Sequence, residues 1–373
     1  MSPRACPDCR RRGALLADLA GHIERSVGNR AGERARDLLA LDDERLAAAV
    51  APGESMLRLR AAEAAVREPD AGAGWSTCAH SSGLPAGFDA LGAAAPRALY
   101  GVGESGLLTA LEPERAVTIV GARRCGAYGR EVAFELGRSL AAAGMVVVSG
   151  MALGVDSAAH EGALAGGGST LAVLGPGADR AYPRSAQRLY ARIRSTGAVI
   201  SELPAATPTF RWTFPARNRL MAALTGVTVV VEAAERSGSL ITAEMATDCG
   251  RTVGAVPGPV NSWRSSGTNR LLADGAAVIR DGRDVLDLLL GPGATPALLP
   301  GPRLTADGRA VLMAVEAGAG TADAAATGAD LSFSATLVAL ARLERDGYVR
   351  SDHAGRWSRT AQAPPARDPP PAA

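Results

Sequence analysis

The chain has 373 residues, 47% of them apolar, with a mean hydropathy of +0.06 and a formal net charge of +2; it is long enough for two or three domains and too apolar to stay disordered. No apolar run approaches the ~20 residues that span a bilayer, and the opening MSPRACPDCRRRG lacks the apolar core of a signal peptide, so a globular cytoplasmic protein with no membrane partner is expected. All 40 basic residues are arginine, which excludes Schiff-base chemistry and the phosphate-binding lysine of a P-loop.

Residues 1–70 read as a helical domain, since ALLADLAGHIERSV and ARDLLALDDERLAAAVA repeat apolar residues at spacings of three and four. Five cysteines, odd in number and scattered, fit a reducing compartment rather than a disulfide framework. Cys6 and Cys9 form a C-x-x-C pair, and Cys78 and His80 would complete a Cys3His zinc site. The two pairs stand much further apart than in compact zinc modules, so free thiols are preferred and no cofactor is assigned. Residues 71–115 read as a connecting segment, loop-like in composition over 71–96.

From 116 to 290 buried strands alternate with helices. The expected strands are 117–121, 145–150, 170–175, 198–201, 227–233, 252–256 and 276–279, with helices between them, among others at 128–143, 156–166 and 239–248. Continuous apolar strands joined by crossover helices make a parallel sheet covered on both faces: an α/β, doubly wound, Rossmann-like domain. GPGATPALLPGP at 291–302 is a linker. Residues 303–361 read as three short helices and a hairpin around DHAG, the order of a winged helix-turn-helix. Residues 362–373 read as a disordered tail.

Ligands of doubly wound sheets bind at the carboxyl ends of the strands. The first strand leads into GARRCGAYG, with Gly121, Gly126 and Gly129; Ala127 and Tyr128 stand where a P-loop has Lys and Ser/Thr, so ATP hydrolysis is not expected. The second strand ends in Ser149 and Gly150 instead of the acid that grips a ribose, which disfavours a dinucleotide. What remains is a glycine loop opening a helix, with backbone N–H groups and Arg123 offered to a phosphate; the bland alternative is a turn that only packs the helix. Ser237 and Gly238 mark another glycine-bearing strand end. Glu202, Glu232 and the Asp156/His160 pair are carboxylates and an imidazole in range of that edge, but no nucleophile elbow or H-E-x-x-H accompanies them, and no catalytic residue is assigned.

FRWTFPARNR, residues 210–219, interleaves three aromatic rings with arginines. Residues 180–219 hold eight arginines against one acid, a local +7 that leaves −5 for the rest of the chain. Stackable rings beside a basic track are what single-stranded nucleic acid needs, and arginine both pairs with phosphate and stacks on bases. The alternative is that Trp212 and Phe214 plug the core while the arginines make internal ion pairs.

In order along the chain, VGARRCGAYG, VVSGMALGVDSAAHEGAL, TFPARNRLMAAL, VVVEAAERSGSLITAEMA and VGAVPGPVNSWRSSGTNRLLADGA resemble the DNA-processing protein A family, DprA or Smf, over nearly all of 95–288. The resemblance implies a non-enzymatic, homodimeric protein that binds single-stranded DNA and helps load the RecA recombinase during natural transformation. It implies DNA contacts at Gly121, Arg123, Phe214, Arg217, Asn218 and Arg219. Two other readings stay open. ERSGSLITAE at 235–244 distantly echoes the ribose-phosphate motif of Rossmann-like nucleotide sensors and phosphoribohydrolases, with Ser237 and Ser239 in place of glycines. A duplex-DNA regulator acting through the winged helix is the third, weakened by a candidate recognition helix that opens with few base-reading side chains.

Overall fold

The computed structural model describes residues 4–28, 31–67, 74–81, 83–293, 304–351 and 355–359. The expected tail at 362–373, most of the linker and the tip of the last hairpin lie outside the described residues. The chain divides into two units, Met1–Ala294 and Thr295–Ala373.

Four helices open the first unit: α1 (Pro7–Val27), α2 (Ala31–Ala40), α3 (Asp43–Val50) and α4 (Ser55–Arg67). Pro7 is placed in the first turn of α1, where its missing N–H would have no partner anyway. Asp42 caps α3 by accepting from the Arg45 N–H at 2.8 Å. Leu15, Leu16, Leu19, Ile23 and Leu46 make a core of their own that continues into Leu203, Trp212 and Ala216.

Next come β1 (Trp75–Thr77), a 3-10 stretch over Ala86–Ala94, β2 (Leu99–Gly103) and α5 (Ser105–Thr109). The region read as a connecting segment therefore supplies two strands, and its Phe88 and Leu91 are buried in the main core. The crossovers follow: β3 (Ala116–Val120), α6 (Ala127–Ala142), β4 (Val146–Ser149), α7 (Val155–Ala165), β5 (Thr170–Val173), α8 (Gln187–Thr196), β6 (Ala198–Ser201), α9 (Thr213–Leu224), β7 (Val227–Val230), α10 (Gly238–Asp248), β8 (Thr252–Ala255), α11 (Ser266–Ala273), β9 (Ala277–Val278) and α12 (Gly282–Leu290). All seven expected strands are present, within a nine-stranded sheet of order β1-β2-β6-β5-β4-β3-β7-β8-β9. Strands β3 to β9 run parallel, while β2 pairs antiparallel with β6 and β1 with β2. Side chains alternate across the sheet: Val117 and Ile119 face one apolar layer, Ala116 and Val120 the other. This is the doubly wound architecture.

The second unit holds α13 (Ala306–Glu316), α14 (Ala322–Ala329), α15 (Phe333–Arg345) and the antiparallel pair β10 (Val349–Ser351) and β11 (Trp357–Arg359), around a small core that includes Val311, Leu312, Leu340 and Tyr348. Among the described residues no single helix is long and apolar enough to cross a membrane.

Candidate nucleic-acid interface

The strand order reverses between β3 and β7, and the crevice beyond their carboxyl ends is where such folds hold a nucleotide. Here it holds Glu232, which is 4% exposed. Its Oε1 accepts from the Gly126 N–H at 2.8 Å, and Gly126 is the N-cap of α6. An internal carboxylate thus occupies the helix N-terminus that was expected to meet a phosphate. Gly129 makes room for it, since a Cβ there would lie 2.7 Å from Glu232 Oε2. The Ala122 N–H donates to the Glu232 carbonyl at 2.7 Å, which fixes the loop from Gly121 onward against β7. The opposite wall is held by Gly154, where a φ of +84° and a Cβ that would fall 2.3 Å from the Ala122 carbonyl oxygen both require the absence of a side chain.

FRWTFPARNR enters α9 at Thr213, and the helix decides where each side chain goes. Successive residues turn by about 100°, so Arg217 and Arg219 point to nearly opposite sides. Arg217 reaches under the sheet edge. Its Nη1 donates to the Gly150 and Val173 carbonyls, its Nε donates to Asn218 Oδ1 at 3.2 Å, and Nη2 lies 3.9 Å from Asp156. Burial lowers the Arg217 guanidinium to about 10 and pushes the Asp156 carboxyl up, the loss of water outweighing their mutual attraction in both cases. Gly150 leaves room for it, because a Cβ there would lie 2.1 Å from Arg217 Nη2 and force the guanidinium to move. Arg219, 1% exposed, forms a fork with both Glu202 oxygens at 2.7 and 2.8 Å and donates to the Ala94 and Ala216 carbonyls. Neither arginine presents a face to a surface ligand, contrary to the DNA contacts that the resemblance implied for them. Ser149 is buried as well, its hydroxyl donating to the Ile119 carbonyl at 2.6 Å. Trp212, 2% exposed, donates from Nε1 to the Ala20 carbonyl at 3.0 Å and so docks α1; it is the core plug.

Asn218 lies within the helix, its Nδ2 3.5 Å from the Gly238 carbonyl, while Ser237 caps α10 and Gly238 stays exposed. His160 is buried and hydrogen-bonds Thr170 Oγ1 at 2.7 Å.

A different set reaches the surface. Arg123 is exposed, with its guanidinium 5.3 Å over the ring of half-buried Phe214, and Tyr182 packs tilted on that ring at 5.2 Å. From Arg123 a groove of about 400 Å³ runs between α6, α7 and α8, lined by Arg130, Ser157, Ser185, Arg188 and exposed Leu153. One acid, Glu161, stands among its cations, 3.8 Å from Arg130. On the other side of the β3–α6 loop, Tyr128 is 47% exposed and donates to the Pro257 carbonyl at 2.8 Å. Beyond it Trp263 is 65% exposed, with the Arg264 guanidinium 4.9 Å over its ring. Burial and the neighbouring Glu232 carboxylate push the Cys125 thiol of this loop up.

Of the residues proposed from sequence, then, Arg123, Tyr128 and Phe214 meet at one accessible edge, whereas Arg217 and Arg219 do not. Arg130, Tyr182, Arg188, Trp263 and Arg264 also lie at this edge and were not among the site residues expected from sequence. The signal was there for the last pair: NSWRSSGTNR has the same ring-and-arginine texture as FRWTFPARNR.

These features define a Rossmann-like protein whose switch-point crevice is filled by its own carboxylate and arginine, and whose carboxyl edge displays cations on aromatic rings. The family model of DNA recombination-mediator protein A matches residues 76–290, and the chain belongs to that family. A DNA processing protein DprA of Mycobacterium tuberculosis is 40% identical over 266 residues, 68% of each chain. The X-ray structure of DprA from Streptococcus pneumoniae matches 71% of this chain and 95% of its own, with a TM-score of 0.58 and 29% identity. DprA from Helicobacter pylori, whose structure was described for its single-stranded DNA binding mode, matches 60% of this chain and 98% of its own, with a TM-score of 0.53 and 32% identity.

Proposed function

We propose that this chain binds single-stranded DNA along the carboxyl edge of its sheet, in a non-enzymatic, DprA-type role that protects the strand and assists the loading of RecA onto it in recombination or transformation, with two copies acting as a homodimer. The carrying observation is the exposed Arg123 stacked on Phe214 at the mouth of a groove lined by Arg130 and Arg188. Rings offer a face to any base and arginines pair with any phosphate, so the interface suits a single strand of any sequence. The described binding mode of the Helicobacter pylori relative agrees with this substrate. Chemistry on a nucleotide is disfavoured because Glu232, the acid at the switch-point crevice, already accepts from the Gly126 N–H at the start of α6. RecA loading and dimer formation rest on family membership.

The test is a fluorescence-anisotropy titration of labelled single-stranded and duplex oligonucleotides over a range of salt. Arg123→Ala combined with Arg188→Ala is expected to weaken single-strand binding for all sequences alike. If each arginine neutralises one phosphate, the log–log salt slope flattens by about 1.4 units. Phe214→Leu should cost about 1–3 kcal/mol of affinity and leave the slope unchanged. Arg219→Ala is the control: it removes a buried guanidinium and leaves the half-buried Glu202 carboxylate without its partner, and should lower stability by about 3–5 kcal/mol without a specific binding defect in the folded fraction. A folded Arg123/Arg188 double variant that binds as tightly as the parent removes this edge from consideration. Release of base or phosphate from nucleotides, abolished by Glu232→Gln, would replace the proposal with an enzymatic one.

A further inference from the structure

The fold gathers four soft ligands from two places far apart in sequence. Cys6 is the N-cap of α1 and Cys9 lies in its first turn; Cys78 and His80 lie in the turn after β1, the edge strand of the sheet. One ligand atom from each, three Sγ and a ring nitrogen, all fall within 4.8 Å of one another. His80 Nδ1 is 3.4 Å from Cys9 Sγ and 3.6 Å from Cys6 Sγ. A tetrahedral zinc with bonds of about 2.3 Å to sulfur and 2.0–2.1 Å to nitrogen has sulfur–nitrogen edges of about 3.5 Å, so the spacing already matches. From this juxtaposition we propose that Cys6, Cys9, Cys78 and His80 bind one structural zinc ion through three Sγ atoms and His80 Nδ1.

The surroundings fit a thiolate site. The Cys6 N–H points at Cys78 Sγ from 3.3 Å, and Ser81 Oγ lies 3.4 Å from the same sulfur while accepting from the Cys78 N–H at 3.2 Å. Such donors stabilise the charge on a bound thiolate and orient it. Cys9 and Cys78 are buried, Cys6 is half-buried and His80 is exposed, so the ion has an entry path from the His80 side. Four protein ligands leave no open position for water, which makes the site structural and not catalytic. On binding, three thiols each release one proton and the imidazole stays neutral; the site carries a net charge of −1 and weakens as pH falls. Its effect is to close a loop of some 70 residues. It clamps the start of α1 to the sheet edge, where the Ala5 N–H also donates to Ser76 Oγ at 3.1 Å.

The sequence spacing argued against this site because zinc modules usually draw their ligand pairs from one short hairpin. Here α1 to α4 intervene, and the packing of α1 against β2 brings the pairs together: Gly13 lets the helix approach so closely that a Cβ would collide with Tyr100 Oη.

Metal content of full-length protein, purified under reducing, metal-depleted conditions and then given one equivalent of zinc, tests the proposal. About one zinc per chain should survive gel filtration, and cobalt substitution should give the thiolate charge-transfer band and intense visible absorption of a tetrahedral sulfur-rich site. Stripping the metal with a chelator should lower the melting temperature by at least about 3 °C. Cys9→Ser and His80→Ala should lose the metal and the chelator effect, His80→Cys should keep both, and Cys249→Ser, remote from the cluster, should match the parent. His80→Cys and the parent protein keep the test meaningful if the other variants fail to fold. The proposal is overturned if the reduced parent takes up neither zinc nor cobalt, or if Cys9→Ser binds them as the parent does.

Discussion

His160 shows how one buried residue can make the whole unit sensitive to acid. Thr170 Oγ1 donates its proton to the Val147 carbonyl at 2.7 Å, so toward His160 Nδ1, also at 2.7 Å, it acts as acceptor. That assigns the proton to Nδ1 and leaves Nε2 bare, buried and without a hydrogen-bond partner among the described residues. A second proton would place a cation in a dry site near Arg217, and the imidazole is accordingly pushed down to about 3, chiefly by burial. The ordinary value is near 6.5, so between pH 6.5 and 3 the unfolded chain binds a proton that the native chain refuses. Stability from this group is complete above 6.5 and falls as pH drops, by about 1.4 kcal/mol per unit. Urea unfolding between pH 7.5 and 4.5 should show this slope in the parent, reduced by one proton in His160→Gln. Parallel pH profiles for the two proteins would mean that His160 does not titrate in this way.

At the scale of the element, α9 explains both what could be read in advance and what could not. The parallel strands were legible because each is a continuous apolar run long enough to be buried on both faces, and the crossover helices between them marked the sheet as parallel. Strands β1 and β2 were not legible: three and five residues in a glycine-rich passage join the sheet through pairing with β6, a long-range contact without local signature. The site was half legible for a similar reason. Charge and aromatic content pointed to FRWTFPARNR, but only the phase of α9 sends Phe214 to Arg123, Arg217 under the sheet and Arg219 to Glu202. Trp212 precedes that helix and faces the N-terminal helices, where its backbone N–H donates to Glu24 at 3.1 Å and its indole to Ala20. Trp212→Ala should therefore cost about 3–5 kcal/mol, chiefly through the cavity it leaves against α1. Hydrogen exchange should accelerate first in α1, with β3 to β5 still protected. Uniform acceleration across the sheet would show that α1 and the sheet open as one unit.

For the whole molecule, the position of charge separates the two units. Residues 180–219 contribute six exposed arginines, 180, 184, 188, 192, 194 and 211, once Arg217 and Arg219 are set aside as internal. Arg184, Arg188 and Arg192, four apart and spanning the entry and body of α8, extend the basic track from the groove. Residues 295–373 hold eight arginines and eight acids, so that unit adds no net attraction for a polyanion. Its α15 displays Phe333, Leu337 and Val338 to solvent, while its two arginines, Arg342 and Arg345, lie in the last turn and Arg345 already pairs with Asp346 at 2.8 Å. A recognition helix that reads DNA presents donors and acceptors from its N-terminal turns; this one presents apolar side chains. Removing residues 295–373 should then leave single-strand affinity within a few-fold and the salt slope unchanged, because the phosphates neutralised are those met by the first unit. The comparison of slopes decides the matter even if the absolute affinity drifts. A slope shallower by 1.5 units or more in the truncated protein would place two or more phosphate contacts on the second unit and make it part of the DNA site.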